Sequence, residues 1–309
     1  MMRVALGLMV LSLLLAAGPP ARVTVGAETD AAAFDASWSQ AALWDDGQAE
    51  VGLYEARRPQ YGKLRRFEAL LIVVKEDFNP KLHVKADPPY AGKALLPVLK
   101  LNFVQSYWTE NYPYHFLTSV FVRRDDPTRL VKLTTSSQEW CGNTFKEVKA
   151  WRRPAELVFH SYFDGEGDGV RQLDLRPGDL LEDQLPLALR GLRFAPGVRV
   201  RTRLYPSIVS NSLRMPLAFR AAEIRVVGEE VVRTPRGRAQ AWRVEVEAGK
   251  LKQTYWFASA EPHELLKMES SDGRELVLKQ LTRKPYWGVP TYIPDDVRPR
   301  RGLGRSRPK

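Results

Sequence analysis

The sequence predicts a mainly β protein assembled by antiparallel pairing, and three observations carry that prediction. Short segments alternate apolar and polar residues, most strictly Val198-Arg199-Val200-Arg201-Thr202-Arg203-Leu204, which turns one face to a core and one to water. Turn chemistry separates such runs, with Pro235-Arg236-Gly237 and Asp272-Gly273 as hairpin signals. Gly and Pro, 21 and 22 of 309 residues, are spread along the chain and favour many short elements over long helices.

Taken in order, residues 31–48 are expected to hold a short helix, because Phe34, Trp38, Ala41 and Ala42 recur at helical spacing. Strands follow at 50–57 and 67–76. The second contains Ala69-Leu70-Leu71-Ile72-Val73-Val74, short and rich in β-branched residues at its end, which predicts a central strand. Residues 95–104 place Leu99, Leu101 and Phe103 on one face, and 112–123, 130–136, 145–148 and 156–163 continue the strand pattern. One further helix is expected over 177–191, with Asp179 as cap, Leu180, Leu181, Leu185 and Leu189 as apolar face, and Pro186 kinking or splitting it. From residue 198 the chain reads as a meander suited to a curved sheet. Trp242, Val244 and Val246, Tyr255 and Phe257, and Leu276 and Leu278 form its inward faces. The organisation expected is 28–192 as an N-terminal β-rich region and 193–282 as a C-terminal meander, or one continuous domain over 28–282.

Composition sets the setting. Hydrophobic residues at 44% and charged residues at 27% allow a proper core. Arg3, the apolar run 4–17, the break at Gly18-Pro19-Pro20 and the small residues Val25-Gly26-Ala27 read as a secretory signal over 1–27. A retained anchor is the competing reading, although the run falls short of the about 20 residues a spanning helix needs. No later segment is apolar enough to span a bilayer. Export to the periplasm, or secretion, is therefore expected, and a single cysteine in an exported chain forms no internal disulfide. The formal charge is +11, but the stretch from Arg283 onward holds eight Lys or Arg against two Asp. Setting that stretch and Arg3 and Arg22 aside leaves a body of only about +3. The excess thus sits in a basic tail over 283–309, expected to be disordered. That tail is either solubilising or a contact for anionic lipid or polysaccharide; a body this near neutral argues against nucleic acid as partner.

Residues capable of chemistry gather in 136–169. Cys141 and His160 could form a nucleophile–base pair with Glu139, Glu166 or Asp168 orienting the imidazole, but no family-specific sequence surrounds the cysteine, and a buried structural Cys141 is the expectation. Zinc would want close-spaced ligand pairs, which are absent. Asp164-Gly165-Glu166-Gly167-Asp168-Gly169 resembles half of an EF-hand, but position twelve is Leu175, so the choice lies between a looser calcium turn through Asp164, Glu166 and Asp168 and a Gly-rich hairpin. Trp140, Tyr162, Trp108 and Tyr114 are the candidates for a ligand-binding face, against the core role usual for aromatics in a β protein. Phosphate loops, dinucleotide fingerprints and hydrolase elbows are absent, and no cofactor is expected.

Two resemblances follow from particular residues. Val232-x-Thr234-Pro235-x-Gly237, Ala241-Trp242-Arg243-Val244-Glu245, Tyr255-Trp256-Phe257 and Pro262-His263-x-Leu265-Leu266-Lys267-Met268-Glu269 resemble the C-terminal part of an uncharacterised family of exported bacterial β proteins. That resemblance implies a half-barrel related to lipoprotein carriers, which hold a hydrophobic ligand in a curved sheet. Ala69-x-Leu71-Ile72-Val73-x-x-Glu76-Asp77-Phe78, Gln138-Glu139-Trp140-Cys141-Gly142 and His160-Ser161-Tyr162-Phe163 are similar to exported proteins often labelled septum formation inhibitor. The label belongs to a cytoplasmic nucleotide pyrophosphatase whose Ser-x-Ser-Pro-Arg-Arg start is missing here. Neither resemblance carries catalytic residues. The leading expectation is an exported, non-enzymatic β protein binding a hydrophobic or cell-envelope ligand. The rivals are an envelope hydrolase or thiol enzyme centred on Cys141 and His160, and an assembly factor whose partner binds a sheet edge or the tail.

Overall fold

The computed structural model describes residues 33–213 and 217–288. The expected signal segment and the tail beyond residue 288 lie outside the described residues. The described residues form sixteen strands, all in one sheet. They are β1 (Ala49–Gln60), β2 (Lys63–Asn79), β3 (Val84–Lys85), β4 (Leu96–Trp108), β5 (Pro113–Arg123), β6 (Leu130–Glu139), β7 (Gly142–Lys149) and β8 (Ala155–His160). They continue with β9 (Asp168–Leu173), β10 (Leu180–Leu181), β11 (Arg199–Tyr205), β12 (Arg220–Thr234), β13 (Gly237–Ala248), β14 (Leu251–Ala258), β15 (Leu265–Ser270) and β16 (Glu275–Lys284). Their spatial order is β10-β11-β12-β13-β14-β15-β16-β1-β2-β4-β5-β6-β7-β8-β9, with β3 beside β2. Every pair is antiparallel except β10 with β11. The mainly β, antiparallel reading is correct, and the two halves expected from the sequence are joined by the β1–β16 ladder. That ladder runs to Lys284, so the basic C-terminal stretch begins as strand: Arg283 donates to Asp46 Oδ1 at 2.9 Å.

The topology curls this sheet. Its outer edges, β9 and β10, are joined by residues 174–179 alone, which at ~3.5 Å per residue span about 25 Å at most. The edges must therefore face one another. Arg203 of β11 reaches across to the Asp174 carbonyl at 2.6 Å and to its carboxylate at 3.1 Å. The wall is thus barrel-like but unclosed, bridged there by side chains in place of a ladder.

The interior is filled. Residues 182–191 form a short 3₁₀ turn (Glu182–Gln184), helix α2 (Leu185–Ala188) and a second 3₁₀ turn (Leu189–Gly191). Pro186 sits in the first turn of α2, where its missing N–H costs nothing, which explains why the expected single helix is split. Asp179 caps no helix, correcting its expected role. Its buried carboxylate accepts from Arg203 Nε at 2.8 Å and from the Arg176 amide at 2.7 Å. Leu185, Leu187, Ala188 and Leu189 are fully buried and pack in one cluster with Leu71, Leu99, Val200, Val244 and Leu278 from both halves of the sheet. The segment is a plug threaded through the barrel. At its far end Arg190 makes a two-bond ion pair with Glu50 at 2.8 and 3.0 Å, donates to Pro262 O at 2.8 Å, and lies over Trp38 at 4.6 Å. Trp38 belongs to helix α1 (Ser37–Gln40), where the N-terminal helix was expected. Two small pockets, of about 50 and 60 Å³, lie between plug, strap and wall, lined by Asp183, Met268, Arg274 and Leu276 among others. Where the carrier resemblance implied a ligand inside the curved sheet, the described residues place the plug leucines, packed against both halves of the wall. No helix among the described residues is long and apolar enough to cross a membrane.

Candidate functional site: an aromatic rim

Strand directions gather one set of turns at one end of the barrel. β1, β4, β6 and β8 all run toward it, so Tyr61-Gly62, 109–112, Trp140-Cys141 and 161–167 form a rim. The β5–β6 register, His115 opposite Gln138, sets the 109–112 turn directly beside Trp140. Rings crowd there. Trp140 stacks on Tyr112 at 6.0 Å and meets Trp108 edge-on at 6.3 Å, and Tyr112 stacks on Tyr114 at 5.6 Å. Trp140 is 72% exposed, Tyr61 62%, Tyr162 56% and Trp108 47%, a large apolar surface for one end of the barrel.

A rigid layer lies beneath. Tyr114 is fully buried and stacks on Tyr107 at 5.8 Å, nearly parallel, while Arg58 sits over the Phe116 ring at 4.7 Å. Tyr114 Oη shares a hydrogen bond with Tyr61 Oη at 2.6 Å, and burial with the neighbouring Glu139 carboxylate pushes its pKa far up, so it stays a neutral donor. Burial likewise raises Tyr107 to about 12. Of the four aromatic candidates, Trp140, Trp108 and Tyr162 face water, whereas Tyr114 supports them from below. Tyr162 is seated by a glycine: a Cβ on Gly142 would lie 2.4 Å from its ring, so the 161–167 turn leans on the β6–β7 hairpin only because residue 142 has none.

The barrel mouth behind the rim is strapped shut by residues 206–213. Lys146, a buried strand residue, donates to the carbonyls of Ile208, Ser210 and Ser212 at 3.0, 2.8 and 2.8 Å, and burial pulls its pKa down to about 8. Thr144 Oγ1 donates to Asn211 O at 2.8 Å, and Asn211 donates to Glu139 Oε1 at 2.9 Å. Glu166 accepts from Ser161 Oγ at 2.5 Å and from the Leu213 amide at 3.0 Å. At the strap's start, Ser207 and Ile208 donate to the half-buried Asp183 carboxylate, whose pKa is raised to about 6 by its removal from water and the neighbouring Glu182. The sequence offered no signal for Lys146, Asp183 or Arg58, since burial of a charged group depends on partners far along the chain.

The catalytic candidates do not assemble. Cys141 is exposed, contrary to the buried residue expected, because it occupies the two-residue turn Trp140-Cys141 where no second layer covers it; its Sγ donates to Tyr112 Oη at 3.1 Å. His160 pairs instead with Asp168 across β8–β9, at 3.2 Å on the exposed side. The register sets His160 opposite Phe145, four positions from Cys141, which is about 14 Å along a strand at ~3.4 Å per residue. Glu139 and Glu166 are engaged in tying the strap. Gly165 and Gly167, both at positive φ, turn the chain between β8 and β9. Among the described residues no group of three His, Cys, Asp or Glu side chains converges on a metal position; of the calcium candidates, Asp164 and Glu166 stand in the turn after β8 and Asp168 opens β9.

Fold and rim together define a class: a plugged, barrel-like β-sheet protein with exposed indoles at one end. The chain is similar to a solved beta-barrel-like protein of the domain of unknown function DUF1849 from Brucella abortus, at 10% identity, with 76% of this chain and 97% of that one covered and a TM-score of 0.43. It is also similar to a candidate exported protein with a YmcC-like fold from Bacteroides fragilis, at 14% identity over 76% of this chain and 94% of that one, with a TM-score of 0.19. No family model and no curated protein matches the sequence.

Proposed function

We propose that this is a non-enzymatic binding protein of the bacterial cell envelope whose aromatic rim engages a lipid surface or an envelope lipid. One observation carries the reading: Trp140, Trp108, Tyr61 and Tyr162 are exposed together at one end, on a layer that holds them in place. Indole and phenol rings have an apolar body and a polar edge, and they favour the boundary between hydrocarbon and water. Rigid rings also lose little side-chain entropy on binding. The filled interior supports a ligand met at the surface. Export through the N-terminal signal and attraction of the basic C-terminal stretch to anionic head groups belong to the same reading. Burying ~200 Å² of the two indoles would contribute about 5 kcal/mol before ordering costs.

Vesicle flotation with protein beginning at Glu28 tests it. The protein is expected to rise with phosphatidylglycerol-containing vesicles, and the double variant Trp108→Ala/Trp140→Ala to bind at least tenfold more weakly at unchanged thermal stability. Absence of flotation, together with no lipid carried in native mass spectrometry, would sink the reading.

A further inference from the structure

At the end of the barrel opposite the rim, a cleft of about 450 Å³ opens between the β5–β6 turn, the β7–β8 turn and the 174–179 linker that bridges the sheet edges. This is within the ~300–1,000 Å³ range of small-molecule sites. Its floor is apolar, formed by Leu96, Leu130, Trp151 and Leu175. Trp151 is held flat against His83, the rings 4.0 Å apart, so that wall is rigid.

Four arginines surround this floor, and their partners divide them into two kinds. Arg123 donates to Asp125 at 2.8 Å, and Arg176 to Asp174 at 3.1 Å. Arg153 donates only to the backbone carbonyls of Ala150 and Arg152, at 2.7 and 2.9 Å, and Arg129 holds the β5–β6 turn through its amide. Arg153 has no carboxylate partner among the described residues, and Arg129 reaches the Asp125 carboxylate through space only, without a hydrogen bond to it. Two carboxylates line the cleft, and one of them, Asp179, is paired with a guanidinium. Asp126 accepts from the Thr128 amide and hydroxyl at 3.1 and 2.5 Å, and Asp179 is buried against Arg203. The cleft is thus lined by four guanidinium groups against two carboxylates, over an apolar floor.

We propose that this cleft is a binding site for a single-chain amphiphilic anion, an acyl chain carrying a carboxylate or phosphate head. The chain lies on the leucines and Trp151, where each methylene taken out of water favours binding. The head group meets Arg129 and Arg153, whose planar forks match the oxygens of a carboxylate or a phosphate. The site is independent of the rim, which lies at the other end of every strand.

Isothermal titration of the full chain, below the micelle threshold, tests the proposal with dodecanoate and dodecyl phosphate as probes. One or both are expected to bind at a single site, and the tighter of the two names the head group. Dodecanol should bind at least tenfold more weakly than the tighter anion, and Arg129→Ala/Arg153→Ala should weaken that anion at least tenfold. Both residues are exposed at turns, and an unchanged melting temperature shows that the fold persists. The Trp108→Ala/Trp140→Ala protein should bind the anion as the parent does. The proposal falls if neither anion binds, if the arginine variant binds undiminished, or if inorganic phosphate or acetate binds as tightly as the corresponding dodecyl compound. Loss of binding in the tryptophan variant alone would overturn the cleft while leaving the rim in place.

Discussion

Removing the charge of Glu50 tests whether the barrel is truly locked on its plug. Glu50 opens β1 and Arg190 ends the plug; their side chains are 9% and 2% exposed and joined by bonds of 2.8 and 3.0 Å. The substitution Glu50→Gln keeps the shape but leaves a buried guanidinium facing Trp38, Trp44 and Pro262 O without a counter-ion. Breaking one side of such a pair costs about 3–5 kcal/mol. A domain of this size loses ~2–4 °C of melting temperature per kcal/mol, so a fall of about 6–20 °C is expected. The double variant Glu50→Leu/Arg190→Met removes both charges and should return to within about 2 kcal/mol of the parent, because desolvation of the pair is removed with it. Urea titration with tryptophan fluorescence and a thermal melt read both numbers. A Glu50→Gln protein within 1 kcal/mol of the parent would refute the reasoning, since it would mean that water reaches Arg190 and the plug end is open.

Three further outcomes follow from the strap and the rim. Lys146→Met removes three donated bonds, so the amides of 208–213 should exchange hydrogen at least tenfold faster while β2 and β4 amides keep their protection; unchanged exchange would show that Lys146 does not hold the strap. Asp183 has a raised folded pKa, so its stabilising contribution is full below its ordinary value of 3.8 and is lost as pH rises through about 6. The stability of Asp183→Asn relative to the parent should therefore climb between about pH 4 and pH 6 and be flat beyond, and a difference constant from pH 4 to 8 would contradict the burial. Cys141 should be alkylated by iodoacetamide in the native protein, read by intact mass, and reaction only after denaturation would contradict its exposed place in the β6–β7 turn.

Much of the wall was legible because antiparallel strands with one wet face write their burial as alternation. Val200, Leu204, Val244, Val246, Tyr255, Phe257, Leu276 and Leu278 all point inward as the period-two pattern requires. The run at 69–74 lies mid-sheet between β1 and β4, where both faces are covered. β9 was missed because an edge strand has little to bury, and Asp168-Gly169-Val170-Arg171-Gln172-Leu173 reads as loop. The plug was read as an ordinary amphipathic helix because Glu182, Gln184 and Arg190 look like a solvent face. Their partners come from strands far away in sequence, Glu50, Gln253 and Arg274 among them, and no local pattern reports that. Cys141 was misplaced for a different reason: the residue type favours burial, but a two-residue turn decides otherwise. The site was half visible. The ring-forming residues could be picked from the sequence, but only the β5–β6 register brings Tyr112 and Trp108 to Trp140.

The same cysteine offers the most direct test of the rim. A nitroxide attached at Cys141, beside Trp140 in the turn, reports by power-saturation electron spin resonance whether that turn enters a lipid phase. With phosphatidylglycerol-containing vesicles, the account predicts that accessibility to oxygen rises and accessibility to a water-soluble nickel chelate falls, with both changes lost in Trp108→Ala/Trp140→Ala. A label that stays fully open to the nickel chelate while the protein is vesicle-bound would contradict the aromatic rim as the binding surface.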